Sequence, residues 1–132
     1  MYANYEHLIA PRLIDSRLKL HLLLQFLIHP GLAATATTLG ERVRENPWAL
    51  AEALEELADA GLLASHGGDT AIYQLGERPE FLLPVSLLAE AFNDPFRREA
   101  IYALVKEAHH ERQFRHYFAE QRAIGLAGLV IA

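Results

Sequence analysis

Residues 38–75 read TLGERVRENPWALAEALEELADAGLLASHGGDTAIYQL, and this stretch decides the fold. Thr38 and Glu41 stand at capping-box spacing, so hydroxyl and carboxylate can satisfy the free N–H groups that open a helix. That helix is short, because Asn46-Pro47 restarts the chain with an N-cap residue and a proline suited to the first helical position. Leu50, Leu54 and Leu57 then recur at spacings of four and three beside Ala51 and Ala58, which makes one apolar face. Gly61 falls where a left-handed residue ends a helix. Leu62–His66 and Thr70–Leu75 can pair as strands across Gly67-Gly68. A short helix, a turn, a second helix and a hairpin follow one another in the order of a winged helix-turn-helix.

The run NPWALAEALEELADAGLL and the returning IYQLG resemble the winged-helix transcription regulators, the broad group of MarR, ArsR and PadR types. Asn46, Leu50, Leu54, Leu57, Gly61, Leu62, Tyr73 and Leu75 carry the resemblance, which spans roughly residues 13 to 76 and singles out no subfamily. It implies a DNA-binding regulator, and it implies that helices outside the motif build a dimer. Packing on the motif's own core is the alternative for those helices.

Outward from the motif, Tyr2 and Tyr5 lie in an N-terminal arm, residues 1–12. Asp15 or Ser16 can cap a leucine-rich helix to about Ile28, stopped by His29-Pro30-Gly31. Ala33–Thr37 reads as a small-residue linker. The winged helix occupies residues 13–76 and a helical extension residues 77–132. Within the extension Glu77-Arg78-Pro79 makes a turn, and a helix runs from about Val85 to Phe92 with Pro84 near its start. Asn93-Asp94-Pro95 opens a long helix to about Gln121, with Phe96, Ala100, Leu104, Ala108, Phe114 and Phe118 as its apolar stripe. The glycine-broken tail GLAGLVIA docks on a partner subunit or frays. The expected class is mainly α with a small β-hairpin, a winged helix-turn-helix flanked by extra N- and C-terminal helices.

Length and composition agree with one small domain: 132 residues, 52% apolar, no cysteine. Absence of cysteine excludes disulfides and thiolate metal sites, and the default location is cytoplasmic. No segment has the apolar length of a membrane span, and MYANYEHLIA lacks the regions of a signal peptide. His109 and His110 beside Glu107 and Glu111 invite a metal, but their spacing gives at most a pair of ligands, so an exposed polar band is the expectation. No phosphate loop, nucleophile elbow or paired catalytic carboxylates stand out, so neither catalysis nor a cofactor is expected.

Charge divides the functional readings. Residues 1–45 balance at +1, residues 77–132 at −1, and residues 46–76 carry Glu52, Glu55, Glu56, Asp59 and Asp69 with no Lys or Arg. That −5 equals the net charge of the chain. Phosphates are bound by Lys and Arg, and base edges often by Arg, Asn or Gln, so this helix suits a major groove poorly. In a DNA-binding regulator the contacts would come from Arg42, Arg44 and Asn46, helped by Arg12 and Arg17. In a protein-interaction module, Trp48 and Ala49 with Glu52, Glu55 and Glu56 would meet a basic partner. Trp48 packed half-buried against the preceding helix, and a merely solvated acidic face, are the structural alternatives.

Overall fold

The computed structural model describes residues 5–67 and 70–131, with side chains through Gln121. The fold is mainly helical with a small antiparallel sheet. A short 3-10 turn at Glu6–Leu8 leads into α1 (Arg17–Ile28), β1 (Ala33–Thr35), α2 (Ala36–Arg42) and α3 (Pro47–Asp59). The hairpin β2 (Leu63–His66) and β3 (Ile72–Leu75) follows, then α4 (Pro79–Phe92) and α5 (Pro95–Ile131).

The local reasons for α3 are visible atom by atom. Asn46 Oδ1 accepts from the N–H groups of Trp48 (2.8 Å) and Ala49 (3.3 Å), and Pro47 takes the first position. Leu50, Ala53, Leu54 and Leu57 are buried along one face. At the far end Gly61 has φ +89°, and the Leu62 N–H reaches back to the Leu57 carbonyl at 3.0 Å. That six-to-one bond closes the helix through a left-handed residue.

Four local expectations are corrected. Thr35, not Thr38, caps α2: its hydroxyl accepts from the Thr38 N–H, and the helix opens at Ala36. The supposed linker holds β1, which pairs antiparallel with β3 (Ala33 opposite Gln74, Thr35 opposite Ile72) and makes a three-stranded sheet in the order β1-β3-β2. Helix α4 begins at Pro79 and carries Pro84 inside it. Helix α5 runs past Gln121 to Ile131, through both glycines of the tail. A helical glycine costs about 1 kcal/mol without stopping the helix.

One core joins the motif to its extension. Leu20, Leu22, Leu23, Leu24 and Phe26 of α1 share it with Leu39, Leu54 and Leu57, and with Val85, Leu88, Ile101, Val105 and Ala108 of α4 and α5. Helix α1 is therefore buried on most sides, as its leucines predict. The stripe expected on α5 holds only in part: Ala108 is buried and Leu104 packs against the core, but Phe96 (88% exposed), Ala100, Phe114 and Phe118 are exposed, and Ile101 and Val105 are buried instead. Steps of four drift by about 40° each, while the 4-3-4 spacing through Arg112 stays on one face. Ala108 is the last residue of α5 buried in the core among the described side chains.

Candidate interaction surface

Helix α3 presents three strips, and its neighbours decide what each can do. The first is buried in the core. The second faces α5 across a groove of about 1140 Å³ whose lining includes Ala49, Glu52 and Ala53 from α3 and Gln113, His116 and Tyr117 from α5. The third, between groove and hairpin, is an open crest carrying Trp48, Glu55 and Asp59, with Glu52 at its border.

The base of the groove is an ion network. Lys19 on α1 is only 3% exposed and Asp15, just before that helix, only 2%. Lys19 Nζ lies 2.9 Å from Asp15 Oδ1 and also donates to Glu56 of α3. Arg112 of α5 closes the set. Its Nη1 is 2.9 Å from Asp15 Oδ2 and 2.7 Å from Glu56 Oε1, and its Nη2 is 2.9 Å from Glu56 Oε2. The Arg12 backbone N–H supplies a further donor to Asp15 at 2.8 Å. Arg12 adopts φ +71°, a conformation that costs a non-glycine residue about 1–2 kcal/mol.

Two carboxylates and two cations sum to zero. No buried side-chain nitrogen or oxygen lacks a partner among the described residues. The bidentate hydrogen bonds from Arg112, helped by Lys19, outweigh burial and hold the Glu56 carboxyl at about 2, against an ordinary 4.5. Burial raises the Asp15 carboxyl, but hydrogen bonds from Lys19, the Arg12 N–H and Arg112 win, and it lies below its ordinary value. The network is a clasp that fixes α5 beside α3 and so creates the groove.

Glu56 consequently does not belong to the free acidic face with which the sequence groups it. Trp48 is not packed on the preceding helix either: it is 83% exposed at the head of α3. Below it Glu52, Glu55 and Asp59 are exposed and unpaired by any cation among the described residues. Burial, and then the nearby charges of Glu55 and Asp59, raise the Tyr73 phenol on β3. The crest is thus one acidic field around one large apolar ring. Asp69 at the hairpin tip and Tyr2 of the N-terminal arm lie outside the described residues.

The basic candidates are scattered. Arg42 and Arg44 are exposed at the end of α2 and in the turn, but Glu41 and Glu45 interleave with them. Arg12 lines the groove together with Glu45 and Glu52. Arg17 lies with its guanidinium 4.1 Å from the ring centre of Tyr102 on α5. Tyr102 also bonds His21 Nε2 at 2.9 Å and stands edge-on to Phe92, which knits α1 to the extension. Burial, and secondarily the charge of Arg17, lowers the His21 imidazole. His109 and His110 are exposed, and among the described residues no three His, Asp or Glu side chains gather as metal ligands.

One feature of the sequence signals the clasp. Asp15 and Lys19 stand at i, i+4 across the start of a leucine-rich helix, and a cation at a core position needs a partner inside. No helix of the described residues is long and apolar enough to cross a membrane. No protein-family model, curated protein or solved structure matches the chain, so its function rests on the geometry of this surface.

Proposed function

We propose that this chain is a winged-helix protein of the transcription-regulator type whose recognition helix meets a protein rather than a DNA duplex. The observation that carries this reading is Trp48, almost fully exposed at the head of a helix whose open crest holds carboxylates alone. An exposed tryptophan supplies a large contact area at low entropic cost, and a ring of like charge selects a partner of opposite sign. A basic protein surface fits both features. Phosphate would meet repulsion from Glu52, Glu55 and Asp59, and the counterion-release term that drives DNA binding has no cation on this helix. The reading includes no catalytic step.

A second reading keeps DNA as the ligand. It is favoured by Arg42 and Arg44, exposed beside the Asn46 cap and without an ion partner among the described residues. Fluorescence anisotropy of a labelled mixed-sequence duplex separates the two. The protein reading expects no binding at low salt. Salt-sensitive binding that disappears in the Arg42→Ala, Arg44→Ala double variant would overturn it in favour of DNA. The partner test uses Trp48→Ala, which leaves the fold intact because the ring is solvent-exposed. This variant should fail to retain a partner that the wild type captures, and equal retention would remove Trp48 as the anchor.

A further inference from the structure

We infer that the groove between α3 and α5 seats an amphipathic helix of a partner protein, its apolar side on the groove floor and its Lys or Arg side on Glu45 and Glu52. The choice of a basic protein rests on the reading of α3 given above. The seat itself is a separate surface, beside the Trp48 crest.

Size and shape call for a helix. A volume of about 1140 Å³ lies above the roughly 300–1,000 Å³ of clefts that enclose a small ligand. The α5 wall runs from His109 to Glu120, roughly 16 Å, or three helical turns. Both long walls are α-helices, whose backbone N–H and C=O groups bond within the helix. An extended peptide would find no backbone partner there and would bury unpaired polar groups, whereas a helix brings its own hydrogen bonds.

The floor admits such a helix. Its α3 side chains are Ala49 and Ala53, small enough for two helix axes to approach to about 8–10 Å. Leu18 adds apolar surface from α1. From the far wall comes the Tyr117 ring, 56% exposed and edge-on to Phe118 at 5.8 Å. Apolar anchors repeating at i, i+3, i+4 and i+7 would lie on these residues.

Charge selects the other side of the occupant. The clasp beneath the floor is neutral, and on the α5 wall Arg115 bonds Glu111 at 2.6 Å while His116 lies 3.1 Å from Glu120. Glu45 and Glu52 are exposed and have no ion partner among the described residues, and of the lining Lys and Arg only Arg12 stands in the same condition. Two carboxylates thus face one guanidinium. A second copy of the chain brings little to them: between His109 and Gln121 its basic residues are Arg112 and Arg115, and both already bond carboxylates. Nucleic acid would add phosphates to an acidic wall. A helix with Lys or Arg along one flank compensates both glutamates.

A synthetic helix of leucine and lysine, with leucine at i, i+3, i+4 and i+7, tests the seat by anisotropy of the labelled peptide with the full chain. It should bind about tenfold tighter than a scrambled peptide of equal composition, and a counterpart with glutamate for lysine should not bind. Ala49→Arg, and separately Glu45→Lys with Glu52→Lys, should each weaken binding about tenfold; all three positions are exposed, so circular dichroism should be unchanged. The chain has no cysteine, so Ala49→Cys should form a mixed disulfide with a peptide carrying cysteine on its leucine side, and Ser86→Cys, exposed on α4, should not. Full peptide binding by Trp48→Ala supports the groove even as it removes the crest as anchor. Loss of binding in Trp48→Ala with none in the groove variants would move the seat to the crest and overturn the inference. Equal binding of ordered and scrambled peptides, binding of the glutamate peptide, or failure of the disulfide at Ala49→Cys would overturn it as well. A dimer in sedimentation that Ala49→Arg dissociates and the peptide does not would give the groove to a second copy instead.

Discussion

Lys19 is as buried as the leucines beside it, and its position is tenable only because three other charged side chains converge there. Removing one member of such a set leaves its partners charged and desolvated, which costs about 3–5 kcal/mol. Lys19→Met is expected to lose stability of that order in urea unfolding, because Asp15 stays buried with one of its two cations gone. A change below about 1 kcal/mol would mean that water, not Lys19, solvates Asp15. The same clasp sets the acid limit of the fold. Glu56 titrates at about 2 in the folded chain against an ordinary 4.5. A depressed carboxylate contributes stability that is complete above the unfolded value and disappears as pH falls through the folded one. The loss therefore belongs between about pH 4.5 and pH 2, and amounts to roughly 3 kcal/mol for this group. Asp15, shifted in the same direction, adds to it at the acid end. Glu56→Gln starts from lower stability at neutral pH and should show a flatter decline over that window. Parallel decline in both proteins would assign the acid sensitivity elsewhere.

Elements were legible where their causes are local. Asn46-Pro47, the leucine spacing and Gly61 specify α3 within its own residues, and the structure follows them. Strand β1 was not legible, since Ala33-Ala34-Thr35 is too short, with one β-branched side chain, to read as a strand and exists by pairing with β3, nearly forty residues away. The clasp escaped for a related reason: its four charged residues come from the chain before α1 and from three helices. Two glycines show this division energetically. Gly61 is needed for its own backbone, at φ +89°, and an added Cβ would meet the flexible Arg78 side chain. Gly76 is needed by tertiary approach: a Cβ there would stand 2.5 Å from the Gly61 carbonyl oxygen and 3.1 Å from that of Leu62. Its own N–H already bonds the Leu62 carbonyl at 3.0 Å, so the backbone has no room to retreat. Gly61→Ala should cost about 1–2 kcal/mol. Gly76→Ala should cost more, on the order of 3 kcal/mol, because backbone rather than a side-chain tip must move. Thermal unfolding of the two variants decides, and the reverse order would show that the hairpin exit yields more easily than the left-handed turn.

At the scale of the molecule, α5 is two objects in one helix. Its first half belongs to the core through Ile101, Val105 and Ala108, and Arg112 makes its last ion pairs to the body among the described residues. Beyond that point the helix contributes little to the stability of a single chain. Ending the chain after Tyr117 keeps Arg112 with a turn of helix beyond it. Ending it after His110 removes the guanidinium that neutralises Glu56 and part of Asp15. The shorter cut should therefore lose several kcal/mol in the manner of a broken buried pair. The longer chain should unfold like an isolated monomer. Concentration supplies the contrast with the intact protein. When folding is coupled to association, the unfolding temperature rises with protein concentration by mass action. If copies of the full chain associate through the arm, the full chain shows that rise and the chain ending at Tyr117 does not. A rise in both would place pairing on the body instead of the arm. A rise in neither, with equal unfolding temperatures, would mean that the aromatic arm stands free in solution. Its exposed Phe114, Tyr117 and Phe118 make that the least favourable state, since three adjacent aromatic rings in water forgo burial worth about 1.5–3 kcal/mol for each phenylalanine alone.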